Sequence, residues 1–196
     1  MRLCDFRNEP YTDFSLSENA EKMRAALSAV RAEFGKEYDI RIGRARHRTG
    51  ALLKSINPSR PSEIVGLHHK ATPELAREAI AAADAYFPKW AATPVAERVA
   101  MLRRAAAILR RRKMEFDAWM VYEAGKTWPE AEADTSEAID FCEYYALLAE
   151  RMAHPEPLVQ LPGERDELRY IPLGAGVIIP PWNFPLAILT GMTTAA

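Results

Sequence analysis

The stretch Gly174-Ala-Gly-Val-Ile-Ile-Pro-Pro-Trp-Asn-Phe-Pro185 constrains this chain more than any other. Val177-Ile-Ile179 is the continuous apolar run of a strand buried on both faces, and the two glycines before it let the backbone approach a neighbour closely. Pro180 and Pro181 remove two backbone donors and end any ladder, while Pro185 suits the first turn of a following helix. A strand that breaks into a helix in this way calls for an α/β arrangement. It puts Asn183, the one polar side chain of the turn, at the carboxyl end of a strand, the edge where such sheets bind ligands. Local chemistry leaves two roles open for Asn183: cap of the next helix, or a carboxamide turned toward a ligand.

With 196 residues and 48% hydrophobic content, the chain can supply one sizeable core or a large piece of a bigger domain. A formal charge of -1 gives no reason to expect a nucleic-acid partner. The basic run Arg110-Arg-Arg-Lys113, with Arg103 and Arg104, falls on a helical stretch and reads as its solvated face. Cys4 and Cys142 stand far apart with no Cys or His at metal-ligand spacing, so no metal site is expected and a reducing, cytoplasmic setting fits. Neither an apolar signal region nor a membrane-length apolar run is present in the sequence.

The spacing of Leu16, Met23, Leu27, Val30 and Phe34 predicts an amphipathic helix over 15–35, stopped at Gly35. Extended pieces at 39–42, 52–56 and 63–67, separated by Gly43, Gly50 and Asn57-Pro-Ser-Arg-Pro61, read as a small antiparallel layer. Thr72-Pro73-Glu74 supplies an N-cap, a first-turn proline and an acid for a helix to about Phe87. Thr93-Pro94 repeats the device. Behind it Val95, Val99, Leu102, Ala106 and Leu109 line one face of a helical stretch that continues through Phe116, Trp119 and Met120 to Gly125. A further helix from Trp128-Pro129 carries Glu130, Glu132 and Asp134 near its positive end and a stripe of Phe141, Cys142, Tyr145, Leu148 and Met152, closed by Pro155 and Pro157. Residues 158–161 and 167–171 around Pro162-Gly163 read as a hairpin able to add to a neighbour's sheet.

Pro181-Trp-Asn-Phe-Pro185 behind Gly174-x-Gly176-Val-Ile-Ile resembles the nucleotide-site signature of the aldehyde dehydrogenase superfamily. Ile56-Asn-Pro-Ser59, Glu63-Ile-Val-Gly66 and Glu123-Ala-Gly-Lys126 are similar to family features, so the resemblance covers nearly the whole chain. Phe6-Arg-Asn-Glu-Pro10 with its following helix, and Ser136-Glu-Ala-Ile-Asp-Phe-Cys-Glu-Tyr-Tyr145, look most like the branch that oxidises L-glutamate γ-semialdehyde (1-pyrroline-5-carboxylate) to L-glutamate in proline degradation. The resemblance implies an α/β fold: the amino-terminal part of an aldehyde dehydrogenase, with an incomplete dinucleotide-binding domain, helices and a protruding β-hairpin. It divides the chain into an arm with first strands (1–50), a helical part of the NAD-binding domain (51–153), an oligomerisation hairpin (154–172) and the first strand-turn-helix of the nucleotide site (173–196).

The chemistry so implied is attack of a cysteine thiolate on the aldehyde, hydride transfer to NAD, and hydrolysis of the thioester. By resemblance Asn183 is the oxyanion-stabilising asparagine, and Ile179, Pro180, Pro181 and Trp182 line the NAD pocket. By the same resemblance Glu137 matches a carboxylate near the substrate's amino group, and Phe184 an aromatic that packs on its aliphatic part. Apart from the family, Glu137 reads as a solvated helix acid; it shares a face with Phe141 and Tyr144 by helical spacing.

The family's nucleophilic cysteine, general-base glutamate and ribose-contacting lysine fall beyond residue 196, and neither Cys4, at the terminus, nor Cys142, on an apolar stripe, replaces the nucleophile. Ile42-Gly-Arg-Ala-Arg46 lacks the family's usual second glycine, which puts a local hairpin there in question. The last helix presents Leu186, Leu189 and Met192 to a core yet ends without a cap, so truncation is expected, with an inactive, aggregation-prone fragment and a homo-oligomer when complete. Two other readings stay open: a non-catalytic remnant or assembly module pairing through 158–171, and a dehydrogenase of a different aldehyde.

Overall fold

In the computed structural model, which describes residues 6–154 and 157–196, the first apolar stripe forms α1 (Ser17–Arg31). Cys4 and Pro155 lie outside the described residues. Met23 and Val30 are buried with Ala118, and Leu27 and Phe34 pack beside them; Leu16 is exposed because it sits at the cap.

The strands are β1 (Lys36–Tyr38), β2 (Ile40–Ile42), β3 (Ala45–His47), β4 (Leu52–Asn57) and β5 (Arg60–His69). They do not make the single antiparallel layer expected. β5 is central, antiparallel to β4 but parallel to β1, while β2 and β3 form a separate pair. Apolar alternation reports which face of a strand is buried and carries no information on strand direction. The questioned hairpin forms: β2 and β3 join through Gly43-Arg44, where Gly43 at φ 58° fills the first position of a primed turn. At the β4–β5 turn, Asn57 Oδ1 accepts from the Ser59 amide at 3.0 Å, and its Nδ2 donates to Glu63 at 2.9 Å.

Thr72 caps α2 (Pro73–Ala91) as expected, its hydroxyl accepting from the Leu75 amide at 3.3 Å, and the helix continues beyond Phe87. Thr93 does not cap the next helix. Its hydroxyl donates back to the Lys89 carbonyl at 2.9 Å, and α3 (Val95–Arg111) starts from Pro94 without a side-chain cap. α3 buries Val99, Ala106 and Leu109 on the expected face. The continuous helix read through to Gly125 is instead broken at Arg112, whose φ of -103° and ψ of 18° redirect the chain into α4 (Lys113–Ala124). Arg112 holds the corner by donating to Glu115 at 2.9 Å and lying 5.1 Å over the Phe116 ring.

α5 (Trp128–Met152) opens with a full capping box between Thr127 and Glu130. Its buried face is richer in small residues than the aromatic stripe suggested: Ala131, Ala138, Ile139, Cys142 and Ala146 are buried, while Met152 is half exposed. These let α3 and α4 pack closely on α5, and Ala106, Leu109, Ala138, Ile139 and Cys142 form the principal core cluster with Leu186 against it. α6 (Ala187–Ala195) crosses α5 at Gly191, where a Cβ would meet the Phe141 ring at 2.8 Å. Any side chain there would lift α6 off α5.

Between α5 and α6 the described residues contain no strand, although hairpin strands at 158–161 and 167–171 and a buried strand at 177–179 were expected. The turn itself forms: Glu164 N donates to Leu161 O at 3.0 Å around Pro162-Gly163, with Gly163 at φ 85°. The arms beyond it are bridged by a side chain. The Gln160 carboxamide accepts from the Asp166 amide at 3.0 Å and donates to the Asp166 carbonyl at 2.9 Å, in place of a backbone pair. Leu173, Val177 and Ile179 are exposed. Strand-like sequence makes a ladder only beside another strand, and no strand of the described residues lies alongside.

Candidate active site

Three acids in the first turns of α5 read alike in sequence, yet they serve different ends. Glu130 completes the capping box. Glu132 and Asp134 are buried, at 2% and 0% exposure, and each must therefore find charged partners across the fold.

Glu132 Oε1 accepts from Lys113 Nζ at 2.8 Å, from the Thr12 amide at 2.9 Å and from the Ser136 hydroxyl at 3.3 Å. Lys113 also reaches the Pro10 carbonyl at 3.2 Å and Glu9 at 3.5 Å. Residues 8–12 are thereby strapped across α4 and α5, helped by Asp140, which accepts from the Asn8 carboxamide at 2.6 Å and the Glu9 amide at 2.7 Å. Asp117, fully buried behind this network, accepts from the Thr135 hydroxyl at 2.5 Å. Burial pushes the Asp117 carboxyl up to about 8, reinforced by its contact with Glu132. Glu132 is also buried, but hydrogen bonds from Lys113 and the Thr12 amide outweigh burial and hold it below the usual carboxylate range. Asp117 Oδ2 and Glu132 Oε2 have no other donor, and one proton held between the two carboxyls satisfies both.

Asp134 looks the other way, toward the prolyl turn. Its Oδ1 accepts from the Ala187 amide at 2.6 Å and its Oδ2 from Lys126 Nζ at 2.7 Å. A carboxylate at the first amide of α6 satisfies an orphan donor and complements the positive end of that helix. The work of an N-cap is thus done by a residue of α5, and Asn183 does not do it: α6 has no side-chain bond at its own cap position. Of the two local roles for Asn183, helix capping is overturned. Its side chain makes no hydrogen bond among the described residues and faces solvent.

The other residues named from sequence surround this point unevenly. Ile179 and Trp182 are 80% and 83% exposed, Pro181 is exposed and Pro180 half-buried. Phe184 carries Lys126 Nζ at 4.2 Å from its ring centroid, a cation–π contact. Glu137 stands exposed on α5, one turn beyond Asp134. Partial burial raises its carboxyl above the ordinary value, Asp134 and Asp140 add to the rise, and Lys126 opposes it. Lys126 therefore links Glu137 and Phe184 within one field. Glu137, Phe141 and Tyr144 fall at i, i+4 and i+7 of the continuous α5, but their partners differ: Phe141 lies under Gly191 and Tyr144 packs edge-on against Phe6 at 5.2 Å.

Cys142 is a buried core residue, as its stripe suggested, and burial pushes its thiol up to about 11, with Glu143 adding to the rise. Such a thiol is inert as a nucleophile at neutral pH. No cluster of metal-ligating side chains is found among the described residues, and no described helix is long and apolar enough to cross a membrane. Sequence reading missed Lys126 and Asp134 as residues of this site. The available signal was an acid set among small residues, Ala131, Ala138 and Cys142, at helical spacing, which marks a face too closely packed to leave Asp134 in water.

The exposed apolar segment, the prolyl turn and the helix it leads into all lie within the stretch that a family model matches. The model of the aldehyde dehydrogenase family matches residues 45–196, and the chain belongs to that family. It is 48% identical over 191 residues to the 1-pyrroline-5-carboxylate dehydrogenase of Geobacillus thermodenitrificans, a match covering 97% of this chain and 37% of that protein. Among solved structures, a 1-pyrroline-5-carboxylate dehydrogenase from Thermus with bound NAD superposes with a TM-score of 0.93 at 49% identity, covering 99% of this chain and 38% of that one. Proline utilization A from Bdellovibrio bacteriovorus gives a TM-score of 0.91 at 36% identity, over 99% of this chain and 20% of that one. The fold is that of the amino-terminal part of these enzymes, and the chain spans little more than a third of the length of the curated relatives it matches.

Proposed function

We propose that residues 1–196 supply the oxyanion donor and part of the nucleotide and substrate pockets of an NAD-dependent dehydrogenase that oxidises L-glutamate γ-semialdehyde to L-glutamate. One observation carries the reading: Asp134 has taken over the capping of α6, which leaves the Asn183 carboxamide free at the tip of the turn.

In this reading the thiolate nucleophile and the general base come from outside residues 1–196, and these residues alone do not turn over. Asn183 Nδ2 donates to the carbonyl oxygen as negative charge develops there, a preorganised dipole that costs no reorganisation during the reaction. Exposed Ile179 and Trp182 offer apolar surface for a planar ring, with Pro180 and Pro181 fixing the backbone between them, which fits a nicotinamide group. NAD, when bound, supplies the oxidant. Glu137 attracts the substrate ammonium, and the Phe184 ring packs on its methylene chain. The exposed arm at 157–173 suits pairing with another copy, consistent with a homo-oligomer, and the unpaired Cys142 suits a cytoplasmic setting.

The test uses the protein expressed from its complete reading frame, assayed for NAD-dependent formation of glutamate from the semialdehyde. Glu137→Ala is expected to lower kcat/KM for the semialdehyde by about 10- to 100-fold, the range for losing a hydrogen bond to a charged group. Activity on a simple aliphatic aldehyde is expected to change little. Equal activity of the variant and parent on the semialdehyde would reject the substrate assignment while leaving the dehydrogenase class in place.

A further inference from the structure

We propose that Asp134 is the positioning residue of the site: with Lys126 as counter-ion, it fixes the turn that carries Asn183 and Phe184 by gripping the first amide of α6. The proposal rests on the reading of Asn183 as the oxyanion donor, and it adds the residue that aims it.

Besides this bond, the turn 180–186 is held by Leu186 against the core cluster and by Phe184 under Lys126, both on its α6 side. It follows a segment with no ladder, its prolines donate no hydrogen bonds, and Trp182 and Asn183 are exposed. Its one anchored end is the start of α6. Among the contacts of α6 with α5, Gly191 against Phe141 sets how closely α6 lies, and Asp134 Oδ1 at 2.6 Å from Ala187 N ties down its first turn. Sliding α6 along its axis would break this charge-assisted bond and also carry Gly191 off the Phe141 ring, so bond and notch fix the register together, the bond at the end nearer the turn. Ala187 is four residues from Asn183, and a shift at one is transmitted to the other through only one turn of chain.

Asp134 is fully buried and unavailable to water or substrate, so its role is indirect. Lys126, just past Gly125 at the end of α4, neutralises it at 2.7 Å and lays the same ammonium over Phe184 at 4.2 Å. The two residues thus couple α4, α5 and the α6 turn. Asp134→Asn keeps the volume but offers Ala187 a neutral acceptor and leaves Lys126 without its counter-ion. Lys126→Arg keeps the charge.

The experiment uses the protein from its complete reading frame and three variants: Asp134→Asn, Lys126→Arg and Met23→Ala. Met23 is a core residue on α1 that touches neither α6 nor the turn, and truncating it supplies a matched loss of thermal stability. For Asp134→Asn, faster amide hydrogen exchange in a peptide spanning 183–191 and a fall in kcat of roughly 10- to 100-fold are expected, the scale for misplacing a catalytic group by about 1 Å. KM for the semialdehyde should move less than kcat. Lys126→Arg should retain most of the exchange protection, and Met23→Ala should lower Tm with kcat and the 183–191 exchange unchanged. Unchanged exchange at 183–191 in Asp134→Asn, or an equal kcat loss in Met23→Ala at equal Tm, overturns the proposal. If the parent protein shows no aldehyde dehydrogenase activity, the functional reading fails, while the exchange measurement still decides whether Asp134 holds the turn.

Discussion

The helical body and the segment 157–186 carry similar amounts of apolar sequence and reach opposite ends. In the body, α1, α3, α4 and α5 bury Met23, Val99, Ala106, Ala118, Ile139 and Leu147, and the buried acids Glu132 and Asp134 are paired with lysines inside. In 157–186, Val159, Leu173, Val177, Ile179 and Trp182 stand in solvent. A helix satisfies its backbone by itself and needs only one packed face, whereas a strand needs a neighbour for every bond. Apart from Glu137 on α5, the residues proposed for chemistry lie on this second segment, which Asp134 and Lys126 hold to the body.

The comparison breaks most visibly if the body is not held by its buried charges. Lys113→Met leaves Glu132 ionised at 2% exposure without its cation, and removing one partner of a buried pair costs about 3–5 kcal/mol. Thermal unfolding should show that loss, and exchange should rise in the 6–14 strap. Exchange across 157–173 should stay as it was, since nothing there contacts Lys113. A rise in both regions together would mean that the arm depends on the body after all.

Asn183→Ala probes the opposite case, a residue proposed for chemistry whose exposed side chain makes no hydrogen bond among the described residues. The loss of one oxyanion donor is expected to lower kcat by about 10²- to 10³-fold, equivalent to about 2.7–4 kcal/mol of barrier, in the protein from its complete reading frame. Tm should be unchanged because the side chain is exposed and makes no hydrogen bond among the described residues. A drop in Tm with kcat preserved would return Asn183 to a structural role.

The same division decides what could be read in the sequence. Helices were legible because period, caps and breakers are local: Thr72-Pro73 acts where it was read and α5 starts at Trp128-Pro129, although the Thr127–Glu130 box that caps it was not read. Thr93 failed because a hydroxyl can bond backward as readily as forward, and the Arg112 corner failed because it depends on one guanidinium finding Glu115 and Phe116. The turn at Pro180–Pro185 stood out in sequence as the candidate site, but the residues that brace it did not. Glu132 and Asp134 look like ordinary first-turn acids until Lys113 and Ala187 are brought against them, from 19 and 53 residues away. The parallel β1–β5 pairing and the absent ladder at 177–179 share that cause, since both depend on what lies alongside.

The smallest effect separates the two regions by pH. Asp117 is held protonated in the folded body, its carboxyl raised from 3.8 to about 8 chiefly by burial. Between those values the folded chain binds a proton that the unfolded chain has lost, so this group's contribution is full below its unfolded value and falls as pH rises toward 8, at no more than about 1.4 kcal/mol per pH unit. Glu132 acts in the reverse sense: its folded value is lowered, so its contribution is present above the ordinary glutamate range and is lost in acid. The pair therefore stabilises the body most near the ordinary carboxylate values and progressively less toward neutrality. Asp117→Asn replaces the shared proton with a permanent amide donor to Glu132 and leaves an acceptor for Thr135. Its Tm should decline less than the parent's from pH 5 to pH 8, with the two proteins nearer in stability at the acid end. Parallel Tm curves would show that Asp117 is ionised in the fold, and that the body tolerates two buried carboxylates side by side with Lys113, the Thr12 amide and the Thr135 and Ser136 hydroxyls as donors.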